Sequence, residues 1–456
     1  MRLFVGVVFA LTAGACANRA GKSVALYEAG DYAGAARAAD EGLASHPGDD
    51  DLWRMRLRAA LAQGDGANLA KGYAAYHQQR GDDDKELVRD LSIATLGQAL
   101  ASPSAKLKIA AIEAVQAAEL EQLAEQVTER MGDDDDRVAA AAAVAVLRAH
   151  PQAPQIASDM LRSEDAEARR IAIDGIAKKV GKLAAADLEK AATDVDPRVR
   201  RAAIRWLGMI EDKDAVTVLT RRMKDPDEAV RAASASALAR IGVGNLEAFG
   251  TQALKDKALA VRLAGIELLE AAKRLDLLAK LAEADPDPMV AAEAAIAAAR
   301  PDLAGRAIDR ALTDERWTIR AGAANLVVRA LGTAKGVETA RRLLADKELG
   351  VRLAAARVLA HGGDKPGAAA VFAEALASAD FVLQAASDLA AQGDTRGIAA
   401  LDAAVRDTTR SSDARAAAAA AHRGARRVTP GLVAALADPS GVVRVEAAAV
   451  LVMLAK

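Results

Sequence analysis

The sequence predicts an all-α fold: an α-solenoid of about twelve stacked two-helix units, preceded by a short segment of a different helical repeat. Three observations carry this. A motif recurs about every 31 residues over residues 84–456, the apolar residues within each copy follow helical spacing, and the composition favours close helix packing. Apolar residues make up 52% of the chain and aromatics only 3%. Much of the apolar share is alanine, a strong helix former that lets neighbouring helices approach.

The motif is an Asp or Ser, five residues, then an Arg preceded by an aliphatic residue. Its clearest copies run from Asp194 to Arg200, Asp225 to Arg231, Asp256 to Arg262, Asp314 to Arg320, Asp346 to Arg352 and Asp438 to Arg444. The residue before the Arg position marks each unit: Leu107, Val138, Ala168, Val199, Val230, Val261, Val290, Ile319, Val351, Leu383, Ala414 and Val443. A period this regular belongs to a quasi-one-dimensional array, not to a compact enzyme domain.

Within a unit, Val230, Ala233, Ala237, Leu238 and Ile241 share one helical face, as do Val199, Ala202, Trp206, Leu207 and Ile210. A second amphipathic helix follows, as in Ala215, Val218, Leu219 and Met223. Asp196-Pro197 and Asp225-Pro226 read as helix starts, where Asp caps free amides and the fixed φ of Pro is tolerated. Each unit is expected to be an antiparallel helix pair.

This pattern resembles the HEAT-like repeats also found in phycobilisome lyases, and it covers residues 84–456. The resemblance implies a ladder of Asp–Arg hydrogen bonds between successive units, broken at Ala139, Ala291 and Gln384, and those gaps are expected to mark bends or atypical units. It also implies that the second helices line the concave surface. There Arg221, Arg310 and Arg342 occupy one repeat position, beside Arg222, Arg306 and Arg341, and are the candidate contacts for an acidic partner.

Ahead of the array, residues 16–83 carry two copies of another pattern. Gly30-Asp31-Tyr32 is followed 34 residues later by Gly64-Asp65, with Ala35, Ala39 and Pro47 in the first copy and Trp53, Leu69, Tyr73 and Tyr76 in the second. These residues resemble tetratricopeptide repeats, whose small and aromatic positions pack two helices together; the aromatics are expected in the core rather than lining a peptide groove.

Residues 1–15 read as a signal peptide: Met1-Arg2, an apolar run from Leu3 to Leu11, and the small triplet Ala13-Gly14-Ala15. Leu11 to Cys16 resembles a bacterial lipobox, with Ala13 where Leu is usual. The resemblance implies lipidation of Cys16, and Ala17 after it implies outer-membrane attachment facing the periplasm.

The chemistry expected is none. Lys and Arg number 61 against 63 Asp and Glu, a net charge of −2, which argues against a nucleic-acid partner. His46, His77, His150, His361 and His422 are scattered without metal-ligand spacing, and Cys16 is the chain's single cysteine. Gly21-Lys22-Ser23 lacks the glycine and strand that a phosphate loop needs, and Asp133 to Asp136 lacks the alternating ligands of a calcium loop. No catalytic residue, cofactor, metal or small-molecule substrate is expected. The reading is a non-catalytic protein-interaction scaffold or assembly factor at the bacterial cell envelope, with an acidic protein partner; the alternative is a lyase-like or maturation enzyme related to the phycobilisome HEAT-repeat proteins.

Overall fold

The computed structural model describes residues 19–81 and 83–456; the signal peptide expected over residues 1–15 and the lipidation expected at Cys16 lie outside the described residues. Every regular element among the described residues is helical. Two helical hairpins open the chain, α1 (Gly21–Glu28) with α2 (Tyr32–Ser45) and α3 (Asp50–Ala62) with α4 (Gly66–Arg80). Gly30 and Gly64 turn the hairpins at φ of 82° and 69°, a region that glycine enters without steric cost. Asp31 and Asp65 then cap α2 and α4 by accepting from Gly34 N and Asn68 N. Leu69, Tyr73 and Tyr76 are buried as expected, the tyrosine hydroxyls donating to Asp83 and Asp84 at 2.8 and 2.7 Å.

The single helix α5 (Lys85–Leu100), capped by Asp84, precedes the array. Paired units follow: α6 (Ala105–Ala118) with α7 (Ala124–Glu129), α8 (Asp136–Ala145) with α9 (Ala153–Met160), and α10 (Ala166–Val180) with α11 (Ala185–Ala191). Next come α12 (Pro197–Met209) with α13 (Val216–Arg222), α14 (Glu228–Ile241) with α15 (Leu246–Ala253), and α16 (Leu259–Ala271) with α17 (Leu275–Ala284). Then α18 (Pro288–Ala297) pairs with α19 (Pro301–Leu312), α20 (Trp317–Leu331) with α21 (Thr333–Leu343), and α22 (Leu349–His361) with α23 (Lys365–Leu376). Last are α24 (Val382–Ala391) with α25 (Thr395–Arg406), α26 (Ser412–Ala425) with α27 (Pro430–Ala434), and the unpaired α28 (Gly441–Leu454). The even-numbered helices from α6 to α28 carry the repeated motif.

The motif helices pack side by side, most closely along α12–α14–α16, whereas consecutive second helices such as α13 and α15 barely meet. In a curved stack the closely spaced layer is the inner one. The concave surface is therefore built by the motif helices, not by the second helices as the resemblance implied. Small residues allow this approach: a Cβ on Gly208 of α12 would stand 2.9 Å from the Cα of Ala237 on α14.

The two ends of the array meet. The last motif helix, α28, packs against the first, α6, and most extensively against α5. α5 stands beside α28 as a second helix stands beside its motif helix, so together they complete one unit. One apolar core runs through the junction, including Leu87 and Leu91 of α5, Ala111 and Ile112 of α6, and Val443, Val450 and Leu451 of α28. Lys456 Nζ donates to Ala117 O at 3.2 Å at the end of α6, and Lys106 lies 3.8 Å from Asp413 on α26. α4 is laid over α27, with Gly66 so near the Ala434 carbonyl that a Cβ would come within 3.1 Å. The second N-terminal hairpin thus straps the seam of a closed circuit.

The expected ladder is present. Arg169 clamps Asp194 at 2.7 and 2.8 Å, Arg231 clamps Asp256 at 2.7 and 2.9 Å, and Arg320 clamps Asp346 at 2.8 and 2.9 Å, each carboxylate belonging to the next unit. The arginine of the same unit as the Asp takes its main-chain carbonyl, as Arg200 does with Asp194 O at 2.8 Å and Arg231 with Asp225 O at 2.9 Å. Lys108 fills the arginine's place in the first unit, 2.6 Å from Asp133. Asp196 caps α12 ahead of Pro197 as expected, but Asp225 is a ladder residue and Asp227, two positions on, caps α14. Where Ala291 interrupts the ladder, Asp314 turns to Arg316 of its own unit at 2.9 Å. The motif helices also separate around α18, which holds Ala291, and between α22 and α24, which holds Gln384. Two of the three gaps therefore coincide with a loosened inner layer.

Candidate interaction surface

A motif helix buries the sides that face its neighbours and its second helix, leaving one stripe toward the concave space. In α12 the buried residues include Val199, Ala203 and Leu207, and the exposed stripe is Arg201, Arg205 and Met209, spaced four apart on one face. Lys178 of α10 and Arg240 of α14 hold the repeat position that Met209 holds in α12, ten residues past the marker, and both are exposed.

Most arginines of this inner layer are neutralised by a neighbour. Arg170 is 2.5 Å from Glu167 and 2.7 Å from Asp174, Arg357 is 2.5 Å from Asp388, Arg329 is 3.2 Å from Glu293 and Arg423 is 2.7 Å from Glu446. Among the described residues, Lys178, Arg201, Arg205 and Arg240 have neither an ion pair nor a hydrogen bond from their side chains. Three consecutive units therefore present cations without an ion pair to the concave space.

Glu113 of α6 feels charges from α10 and α28. Desolvation holds its carboxyl above the usual range; Arg170 and Lys178 of α10 pull it down, while Glu167 and Glu446 push it up. Glu446 lies on α28, so that influence crosses the seam.

The residues singled out from the sequence sit elsewhere. Arg221, Arg310 and Arg342 lie on α13, α19 and α21, in the outer layer, and all three are exposed. Arg310 donates to Asp285 O at 3.1 Å and Arg342 to the Thr339 hydroxyl at 3.2 Å. They do not face the concave space. The residues that do, Arg201, Arg205, Lys178 and Arg240, were missed; the signal was the set of positions two, six and ten past each marker, which change between charged and apolar from unit to unit.

One buried cluster contains groups familiar from catalysis. His422, fully buried, has Nδ1 2.9 Å from Ala418 O and Nε2 3.3 Å from Asp402, and the Thr429 hydroxyl and Gly431 N donate to the same carboxylate. The Thr hydroxyl is bonded to Asp rather than His, so the imidazole cannot take its proton. Burial pushes the Asp402 carboxyl up, but the bonds from His422 and Thr429 outweigh it and hold the carboxyl below its ordinary range. The cluster fixes the start of α27, where Thr429 caps by accepting from Leu432 N. Among the described residues no group of three or more His, Cys, Asp or Glu side chains is placed to hold a metal ion, and no helix is long and apolar enough to cross a membrane. Asp133 and Asp135 are engaged by Lys108 and Arg137.

Residues 153–239 match the family model of HEAT repeats. No curated protein matches the sequence. Among solved structures, an engineered protein is 19% identical over 82% of this chain and 99% of its own, with a TM-score of 0.28. The CpcE–CpcF complex of phycocyanin lyase from Nostoc is 21% identical over 55% of this chain and 94% of its own, with a TM-score of 0.28. The karyopherin Kap121p is 13% identical over 86% of this chain and 51% of its own, with a TM-score of 0.33. The fold is a helical-repeat array of HEAT-like construction.

Proposed function

We propose that this chain is a non-catalytic scaffold that holds a protein partner against its concave face. The observation that supports it most is the set of unpaired cations there, in a molecule where most other inner-layer arginines are paired with carboxylates. A continuous array without convergent acid, base and nucleophile among its described residues suits recognition by shape and charge. The export reading belongs to the same proposal: residues 1–15 direct the chain out of the cytoplasm, Cys16 carries the lipid, and the array faces the periplasm.

The test is cross-linking in native membranes followed by capture of the C-terminally tagged protein. Reproducible, near-stoichiometric envelope proteins support the scaffold; a retained chromophore or other small molecule in their place supports the lyase-like alternative. Metabolic labelling with a radioactive fatty acid, compared between the native chain and Cys16→Ala, tests the anchor: equal labelling excludes it.

A further inference from the structure

We infer that the concave face of the units built on α10, α12 and α14 is a binding site for an acidic polypeptide segment that carries an apolar side chain among its carboxylates. The inference rests on the scaffold reading and names the site and its ligand. Arg201 and Arg205 stand one turn apart on α12, and Lys178 and Arg240 flank them from the neighbouring helices. All four are exposed and none is paired among the described residues. Two guanidinium forks on one helical face match side-chain carboxylates four residues apart on a helix or two apart on a strand.

Met209 separates this site from a general basic patch. It is 52% exposed, on the same stripe as Arg205, and lies in the row between Lys178 and Arg240. Exposed methionine adapts to varied apolar side chains, so the site offers an apolar contact ringed by cations. A duplex would need a longer positive track. Here the next units present Glu267 on α16 and, at the positions of Arg201 and Arg205, the buried Ala140 and Val144 of α8; Glu113 of α6 lies one unit further on, and the whole chain carries a net charge of −2. The charge confines the anion to three units.

The probe is a fluorescein-labelled twelve-residue peptide of alternating Glu and Ala with one central Leu, titrated with the full chain and followed by anisotropy. We expect binding that weakens as salt rises, an affinity loss of about tenfold or more in the Arg201→Glu/Arg205→Glu protein, and little change in the Arg221→Glu/Arg342→Glu protein. Arg201→Gln/Arg205→Gln, which leaves the stripe polar and uncharged, is expected to fall between them; circular-dichroism melts establish that each variant folds. Equal peptide affinity in the native and Arg201→Glu/Arg205→Glu proteins overturns the site. Tighter binding of duplex DNA or of anionic phosphatidylglycerol vesicles than of the peptide overturns the assignment of the ligand. If the charge-reversed protein still captures its envelope partner from membranes, the site is wrong and the scaffold stands; if the native chain captures none, the scaffold itself fails.

Discussion

The Arg200 guanidinium donates to the Asp225 carboxylate at 2.7 Å, with the two side chains 8% and 0% exposed, and so fastens one repeat to the next from inside the stack. Arg222 reaches the other oxygen of that carboxylate at 3.2 Å. Burial pushes the Asp225 carboxyl up, yet its bonds from Arg200, the Asp227 amide and Arg222 hold it below the ordinary range. Asp225→Ala leaves the buried Arg200 without a carboxylate, holding only the Asp194 and Val195 carbonyls, and is expected to cost about 3–5 kcal/mol of stability. Asp314→Ala, at the ladder gap beside Ala291, removes bonds from the amide and the exposed guanidinium of Arg316 and strands no buried charge, so it should cost much less. Urea unfolding of the two variants checks the order, and equal losses would remove the distinction between ladder and gap.

Acid should unfold the array in a defined window. Hydrogen bonds from Arg231 and Arg320 hold Asp256 and Asp346 below their ordinary range, and the bond from Arg198 takes Asp196 from 3.8 to about 2. A carboxyl depressed by folding stabilises the folded state at pH values above its unfolded pKa, and that contribution is lost as pH falls through the folded pKa. The Tm is therefore expected to hold between pH 7 and 5 and to fall between about pH 4 and 2. A Tm that holds down to pH 2 contradicts this account.

The seam predicts unusual protection of α28. In an open array the last helix frays, because one of its sides has no neighbour. Here α28 is enclosed by α26, α5 and α6. Its amides should exchange as slowly as those of α14, in the middle of the array. Removal of residues 441–456 exposes the faces of α5 and α6 and should make the protein self-associate, as read by light scattering. Fast exchange throughout α28 in the full chain would mean that the circuit is open in solution.

The inner layer has no room for an added methyl where α12 meets α14. A Cβ at Gly208 would meet Ala237 Cα and Cβ, both at 2.9 Å, and backbone cannot swing aside. Gly208→Ala is expected to destabilise by about 1–3 kcal/mol even though alanine is the better helix former. Gly132→Ala, with nothing within 4 Å, is its control. A stabilised Gly208→Ala protein would place α12 and α14 further apart.

Much of this architecture was legible in local pattern. The markers from Leu107 to Val443 set the motif helices, because apolar residues at helical spacing must be covered, and the six-residue step from Asp to Arg anticipated the ladder. Gly30-Asp31 and Gly64-Asp65 announced two hairpins, because few residue pairs suit a left-handed turn followed by a cap. The site was less legible. Arg221, Arg310 and Arg342 share a repeat position, but whether that position faces inward depends on which helix layer is crowded, and no single unit holds that information.

The sequence by itself therefore determined the helices, their pairing and the contacts of each unit with the next, all of which act over about 31 residues. Only the tertiary structure decided that motif helices form the concave layer, that Lys178, Arg201, Arg205 and Arg240 face one space without partners, and that α5 completes the unit begun by α28. The physical reason is accumulation. Curvature is the sum of small rotations between neighbours, so whether residue 456 returns to residue 117 is a property of the whole stack.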